Sequence, residues 1–95
     1  MIDVKINFLS LLADITKIKE LNISVHDNST IKEILERLIS KFGEDFERKI
    51  LDSPDSLNKY IILGLNGKDI RTLENLDTIV SHHDEILLLP AIAGG

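Results

Sequence analysis

Ile31, Ile34, Leu35, Leu38, Ile39 and Phe42 lie at offsets of zero, three, four, seven, eight and eleven, the spacing that gathers side chains on one face of an α-helix. No other feature of the chain restricts its fold as much, because so continuous a stripe must be buried against a second layer that the remaining residues have to supply. Both ends of the helix are written locally. Asn28-Ser29-Thr30 provides a start, and Thr30-Ile31-Lys32-Glu33 matches a capping box. In that motif the Thr30 hydroxyl accepts from the Glu33 backbone N–H and the Glu33 carboxylate accepts from the Thr30 N–H. Gly43 is the expected stop. On the outer face Glu33 precedes Arg37 by four residues, an order expected to add about 0.3 kcal/mol.

The flanking segments have a different period. Ile2, Val4, Ile6 and Phe8 alternate with Asp3, Lys5 and Asn7, and Leu21, Ile23 and Val25 alternate with Glu20, Asn22, Ser24 and His26; each reads as a strand with one buried face, and together they suggest a hairpin. The connection from Leu9 to Ile18 carries Leu11, Leu12, Ala13 and Ile15. These side chains either fold onto the core, the expected outcome, or form an exposed partner surface.

Beyond the helix, Glu44 to Asn58 is polar and interrupted by the turn signal Asp52-Ser53-Pro54-Asp55, an excursion in which Phe46 and Ile50 can form one more helical turn on the core. Tyr60 to Leu65 predicts a strand running into Asn66-Gly67, a tight-turn dipeptide, with a short return arm from Lys68 to Arg71. Leu73, Leu76 and Ile79, three apart, predict a tight helical turn packed under the sheet. After the polar His82-His83-Asp84-Glu85 turn, Ile86-Leu87-Leu88-Leu89 is an apolar run without alternation; it predicts a central strand covered on both faces. The fold class is therefore α+β: one domain over 1–95, with a mixed sheet of four to five strands curled around one main helix.

Composition narrows the function. A chain of 95 residues supports one core, and four aromatics (Phe8, Phe42, Phe46 and Tyr60) imply that the core is aliphatic. A formal net charge of -5 repels polyphosphate backbones, so nucleic acid is not an expected partner. Without cysteine, disulfides, thiolate zinc sites, iron–sulfur clusters and thioesters on this chain are excluded. The apolar runs are too short to span a bilayer, and a soluble cytoplasmic protein is expected. His82 and His83, read as strand neighbours, point to opposite sides and do not make a shared metal site. Neither a nucleophile triad nor a phosphate loop can be assembled.

What remains is the end of the chain, Leu89-Pro90-Ala91-Ile92-Ala93-Gly94-Gly95. Small residues at a terminus are compatible with simple fraying. They also suit entry into a narrow site, since the last peptide units carry no Cβ. The group presented there is the α-carboxylate of Gly95, which becomes a reactive acyl donor only after activation.

The strand at the amino terminus, the helix beginning Ser29-Thr30-Ile31-Lys32-Glu33-Ile34-Leu35, Leu65-Asn66-Gly67-Lys68-Asp69-Ile70, Leu76-Asp77-Thr78, Asp84-Glu85-Ile86 and the ending from Leu89 to Gly95 together resemble the ubiquitin-like sulfur carriers, and most of all the small subunit of molybdopterin synthase (MoaD-like). The resemblance covers nearly the whole chain and implies a β-grasp fold. It further implies that a ubiquitin-activating-type adenylyltransferase uses ATP to adenylate Gly95, that the adenylate is converted to a thiocarboxylate, and that the sulfur passes to a pterin precursor held by the molybdopterin synthase large subunit. The chain is then no enzyme by itself and holds no permanent cofactor. Gly95 carries the chemistry and Gly94 the access. Pro90, Ala91, Ile92 and Ala93 give reach and partner contact, with Ile92 an anchor, and Leu87 and Leu89 extend the surface where they face outward. Pro90-Ala91 stands where many relatives have two prolines, which leaves the choice of partner open. The same tail chemistry also serves lysine modification, thiamine synthesis and tRNA thiolation.

Overall fold

In a computed structural model, which describes residues 1–91, the main helix begins and ends at the residues the sequence marks. It spans Ile31–Phe42, the second long helix-forming segment after a short α1 at Leu11–Thr16, and is α2 of the chain. The Thr30 side chain accepts from the Glu33 N–H at 3.2 Å, and the Thr30 N–H donates to Glu33 Oε1 at 3.2 Å. Gly43 closes the helix with φ of 92° and an N–H donated to Ile39 O, a backbone conformation that a side chain would disfavour. Ile31, Ile34, Leu35 and Leu38 are buried. The Glu33 to Arg37 pair does not form: the Glu33 carboxylate turns back to Thr30 and to His26 Nε2, at 2.8 Å from the latter.

The facing layer is a sheet of β1 (Ile2–Phe8), β2 (Glu20–Val25), β5 (Ile61–Leu65), β6 (Lys68–Asp69) and β7 (Glu85–Pro90), in the order β2-β1-β7-β5-β6. β1 and β2 are an antiparallel hairpin, β7 runs parallel to β1, and β5 is antiparallel to β7. The last strand is therefore central. β5 turns into β6 through Asn66 and Gly67, at φ of 51° and 86°, the doubly positive pair that a two-residue hairpin of this hand requires.

In the connection after β1, Leu12 is fully buried, Ala13 and Ile15 pack partly on the core, and Leu11 stays exposed. The polar excursion is more ordered than its composition suggests: α3 (Glu44–Ile50) buries Phe46 and Ile50 completely, and β3 (Leu51–Ser53) pairs with β4 (Ser56–Leu57) as a small separate hairpin. Phe8, Phe42 and Phe46 meet with ring centroids 5.4 to 6.1 Å apart. The core is thus aliphatic around an aromatic cluster that joins β1, α2 and α3.

Four expectations are corrected. The run from Ile86 to Leu89 is central but covered on one face only: Ile86 and Leu88 are buried while Leu87 is exposed and Leu89 half-buried, because every helix that packs on β7 lies on the same side. Of Leu73, Leu76 and Ile79 only Leu76 is buried. The residues after the 3-10 turn Asn75–Asp77 are extended, with the Ile31 N–H donated to Thr78 O and the Val80 N–H to Ser29 O, so Thr78 and Val80 turn inward and Ile79 outward. His82 and His83 do not point apart. His83 takes φ of 69°, and the two rings lie 3.7 Å apart at 31°, as a turn rather than a strand places them. The strand drawn from Tyr60 begins at Ile61, with Tyr60 exposed in the preceding turn.

Candidate functional site

β7 carries the tail, and its placement follows from its pairings. Asn7, Leu87 and Gly64 lie side by side across β1, β7 and β5, and Leu89 lies beside Ile62. Because Ile61, Leu63, Ile86 and Leu88 fill the helix side, alternation sends Leu87, Leu89, Ile62 and Gly64 to the open side. Leu9 extends the β1 ladder, donating its N–H to Leu88 O at 3.0 Å, and is exposed. The result is an apolar strip on the open face, made of Leu9, Leu87, Leu89 and Ile62, at the root of the tail. Gly64 keeps the strip accessible: a Cβ there would sit 3.9 Å from the Leu87 Cβ, in ordinary contact, and a larger side chain would cover Leu87.

Toward β2 the same face is charged. Lys5 Nζ lies 3.6 Å from Glu20 and 3.9 Å from Glu85, exposed pairs that contribute little to stability. The open face thus divides into an apolar half over β5 and β7 and a polar half over β1 and β2.

Pro90 pairs with Ile61 at the end of β7, and Ala91 donates its N–H to Tyr60 O at 2.6 Å. Tyr60 is held in turn by its N–H to Asn58 Oδ1 at 2.8 Å, and Arg71 Nη2 donates to Asn58 O at 3.1 Å. The tail therefore leaves from a backbone clasp at the centre of the sheet. Of the residues proposed to work there, the structure places Leu87, Leu89, Pro90 and Ala91 in succession along the end of the central strand β7 and just beyond it. Ile92, Ala93, Gly94 and Gly95 lie outside the described residues.

The histidines serve other ends. His82 Nδ1 accepts from the Asp3 N–H at 3.0 Å, and the His83 N–H donates to Asp3 O at 2.7 Å, so the pair fastens the last turn to β1. Asp84 accepts from Asn66 Nδ2 and from the Ser81 N–H. Among the described residues no group of three His, Asp or Glu could hold a metal ion, and no helix is long and apolar enough to cross a membrane. The shifted ionisable groups sit at the helix start, away from the tail: the Asp27 carbonyl and then the Glu33 carboxylate raise His26, and the Thr30 N–H and then His26 lower Glu33.

Leu9, Ile62 and Gly64 were not read from the sequence as site residues. A signal was present. Ile61-Ile62-Leu63, like Ile86-Leu87-Leu88-Leu89, is apolar without alternation, and two such runs paired side by side leave apolar side chains on both faces. The pairing itself is long-range and is not written in either run.

Three comparisons bear on this geometry. The sequence pattern of the ThiS family matches residues 6–95. A protein of Archaeoglobus fulgidus, provisionally named a sulfur carrier, is 35% identical over 66 residues, covering 70% of this chain and 74% of its own. Among solved structures, the small archaeal modifier protein 1 of Methanosarcina acetivorans superposes with a TM-score of 0.84 at 29% identity, covering 100% of this chain and 98% of its own. A protein from Pyrococcus furiosus, provisionally named molybdopterin converting factor subunit 1, superposes with a TM-score of 0.78 at 14% identity, covering 97% and 100%; at that identity the likeness is one of fold, the β-grasp.

Proposed function

Since the chain belongs to the ThiS family of ubiquitin-like sulfur carriers, we propose that Gly95 is its working residue and that it delivers sulfur in molybdopterin synthesis, the cofactor of molybdenum or tungsten enzymes. A carboxylate oxygen of Gly95 attacks the α-phosphate of ATP on a ubiquitin-activating-type adenylyltransferase, and pyrophosphate leaves. A sulfur donor then displaces AMP from the acyl carbon to give a thiocarboxylate. The tail carries that sulfur into the molybdopterin synthase large subunit, where the sulfur bonds to the pterin precursor and water then cleaves the acyl carbon–sulfur bond, returning the carboxylate and leaving the sulfur on the acceptor. Gly94 provides clearance, Pro90 to Ala93 provide reach with Ile92 as an anchor, and Leu87 and Leu89 dock the partner.

The observation that supports this reading is the clasp: Ala91 is bonded to Tyr60 at the end of the central strand β7, beside an apolar strip that no other described element covers. A rigid base under a side-chain-free end suits insertion into a narrow site. A second reading is favoured by the likeness to small archaeal modifier protein 1: the same adenylated Gly95 becomes attached to lysines of target proteins. The sulfur acceptor can equally be a thiazole precursor or tRNA.

Intact mass of the chain isolated from its native cells separates these readings. Replacement of one oxygen by sulfur at Gly95, with loss of molybdopterin on deleting Gly95, is the expected result. Isopeptide conjugates to lysine instead of the thiocarboxylate establish the modifier. Deletion of Gly95 that leaves both sulfur transfer and conjugation intact overturns the role of the tail.

A further inference from the structure

A sheet edge presents unpaired backbone N–H and C=O groups that can template another strand, and proteins ordinarily guard such edges by shortness, charge, proline, bulges or a covering element. At one edge of this sheet, β6 is guarded by having only two residues. At the other, β2 is six residues long, pairs with β1 without a register shift, and holds no proline. The Phe8 N–H donates to Lys19 O, so by antiparallel alternation Leu21, Ile23 and Val25 bond toward β1 and the backbone groups of Glu20, Asn22 and Ser24 face outward. The charged Glu20 does not guard that edge, because its carboxylate is turned across the sheet to Lys5.

Beside this edge runs a groove with α2 as its other wall. One end is lined by Val25, His26, Glu33 and Glu36, the other by Leu21, Ile23, Leu38 and the cation Lys41, and Arg37 lies between them, lining both. The half-buried Leu21 and Ile23 give it an apolar floor. Arg37 and Lys41 are exposed and have no carboxylate partner among the described residues, although the whole chain is acidic at -5.

We propose that the free edge of β2 and the groove beside α2 form a docking site for an extended, acidic segment of a partner protein, which adds to the sheet as a sixth strand. Main-chain bonds to Asn22 and Ser24 hold it, alternate aliphatic side chains enter the groove, and its carboxylates lie against Arg37 and Lys41 at the Leu21 end. The site is on the opposite edge from β6 and does not involve the tail, so it stands whether Gly95 serves as sulfur carrier or as modifier.

The test uses the full chain and a short synthetic peptide of alternating valine and threonine flanked by aspartates. Expected are NMR shifts of the Glu20, Asn22 and Ser24 amides, binding that weakens with added salt, and an affinity loss of about ten-fold or more in an R37E/K41E double variant, a change of about 1.4 kcal/mol or more. Both positions are exposed, so the unbound spectrum of the variant should remain that of a folded chain. Shifts confined to the Leu87 and Leu89 face, equal affinity of the variant, or equal binding of a lysine-flanked peptide would overturn the proposal. So would a concentration-dependent dimer joined through β2, which would make the occupant a second copy.

Discussion

His26 stands where β2 gives way to α2, and its ring completes the helix cap from outside: Nε2 meets Glu33 Oε2 at 2.8 Å while Glu33 Oε1 accepts from the Thr30 N–H. Each group favours the other's charged form. The Asp27 carbonyl first, and Glu33 second, raise His26 above its ordinary 6.5, so its contribution is complete below pH 6.5 and is lost as pH rises through the folded value. The Thr30 N–H first, and His26 second, lower Glu33 below 4.5, so its contribution is present above pH 4.5 and is lost as pH falls through the folded value. The pair should therefore stabilise the chain most between about pH 4.5 and 6.5. Thermal melts of the wild type minus those of Glu33→Gln, taken across pH, should show a difference that is largest in that window and shrinks on either side. A difference independent of pH would mean that Glu33 acts through the cap geometry alone. The capping box was legible because it spans three residues of one segment. The histidine's part was not, since it depends on β2 ending beside α2.

At the scale of elements, the stretch after Gly43 shows most clearly what composition conceals. Glu44 to Asn58 is dominated by charged and turn-forming residues, yet α3 places Phe46 and Ile50 among the most deeply buried side chains. Two apolar residues four apart are enough to seat one helical face when the receiving surface already exists. Here Phe8 and Phe42 provide it, with centroids 6.1 and 5.4 Å from Phe46. The Phe8–Phe46 contact is edge-to-face at 80° and the Phe42–Phe46 contact tilted at 53°, and aromatic contacts of this kind add to the burial of the rings themselves. Phe46→Ala should accordingly cost about 3 to 5 kcal/mol in urea or thermal unfolding, far more than a residue in a polar surface excursion would. A loss under about 1 kcal/mol would show that α3 detaches without disturbing the core. The same logic explains the failed spacing after Leu73. Leu76 obeys the tight turn, but once Thr78 and Val80 bond to Ile31 and Ser29 the segment is extended and the burial period becomes two.

Across the whole molecule, the central position of β7 determines both the fold and the candidate site. The parallel pairing with β1 and the antiparallel pairing with β5 fix Ile86 and Leu88 in the core and leave Leu87 and Leu89 on the open face. The unbroken apolar run correctly announces a central strand; its second apolar face, Leu87 and Leu89, lies on the open side of the sheet, with no second layer of helices over it among the described residues. Neighbouring leucines on one strand should then respond in opposite ways to the same change. Leu88→Asp buries a carboxylate in a fully enclosed site and should abolish the cooperative thermal transition. Leu87→Asp places the charge in water beside Gly64 and should leave the melting temperature within a few degrees of the wild type. On the reading of the strip as a partner surface, Leu87→Asp should also weaken the complex with the adenylating enzyme, measured by calorimetry, by ten-fold or more, about 1.4 kcal/mol. If Leu87→Asp unfolds the chain, β7 is covered on both faces after all. If it folds and binds with unchanged affinity, the partner reaches Gly95 without touching the open face, and the apolar strip has another use.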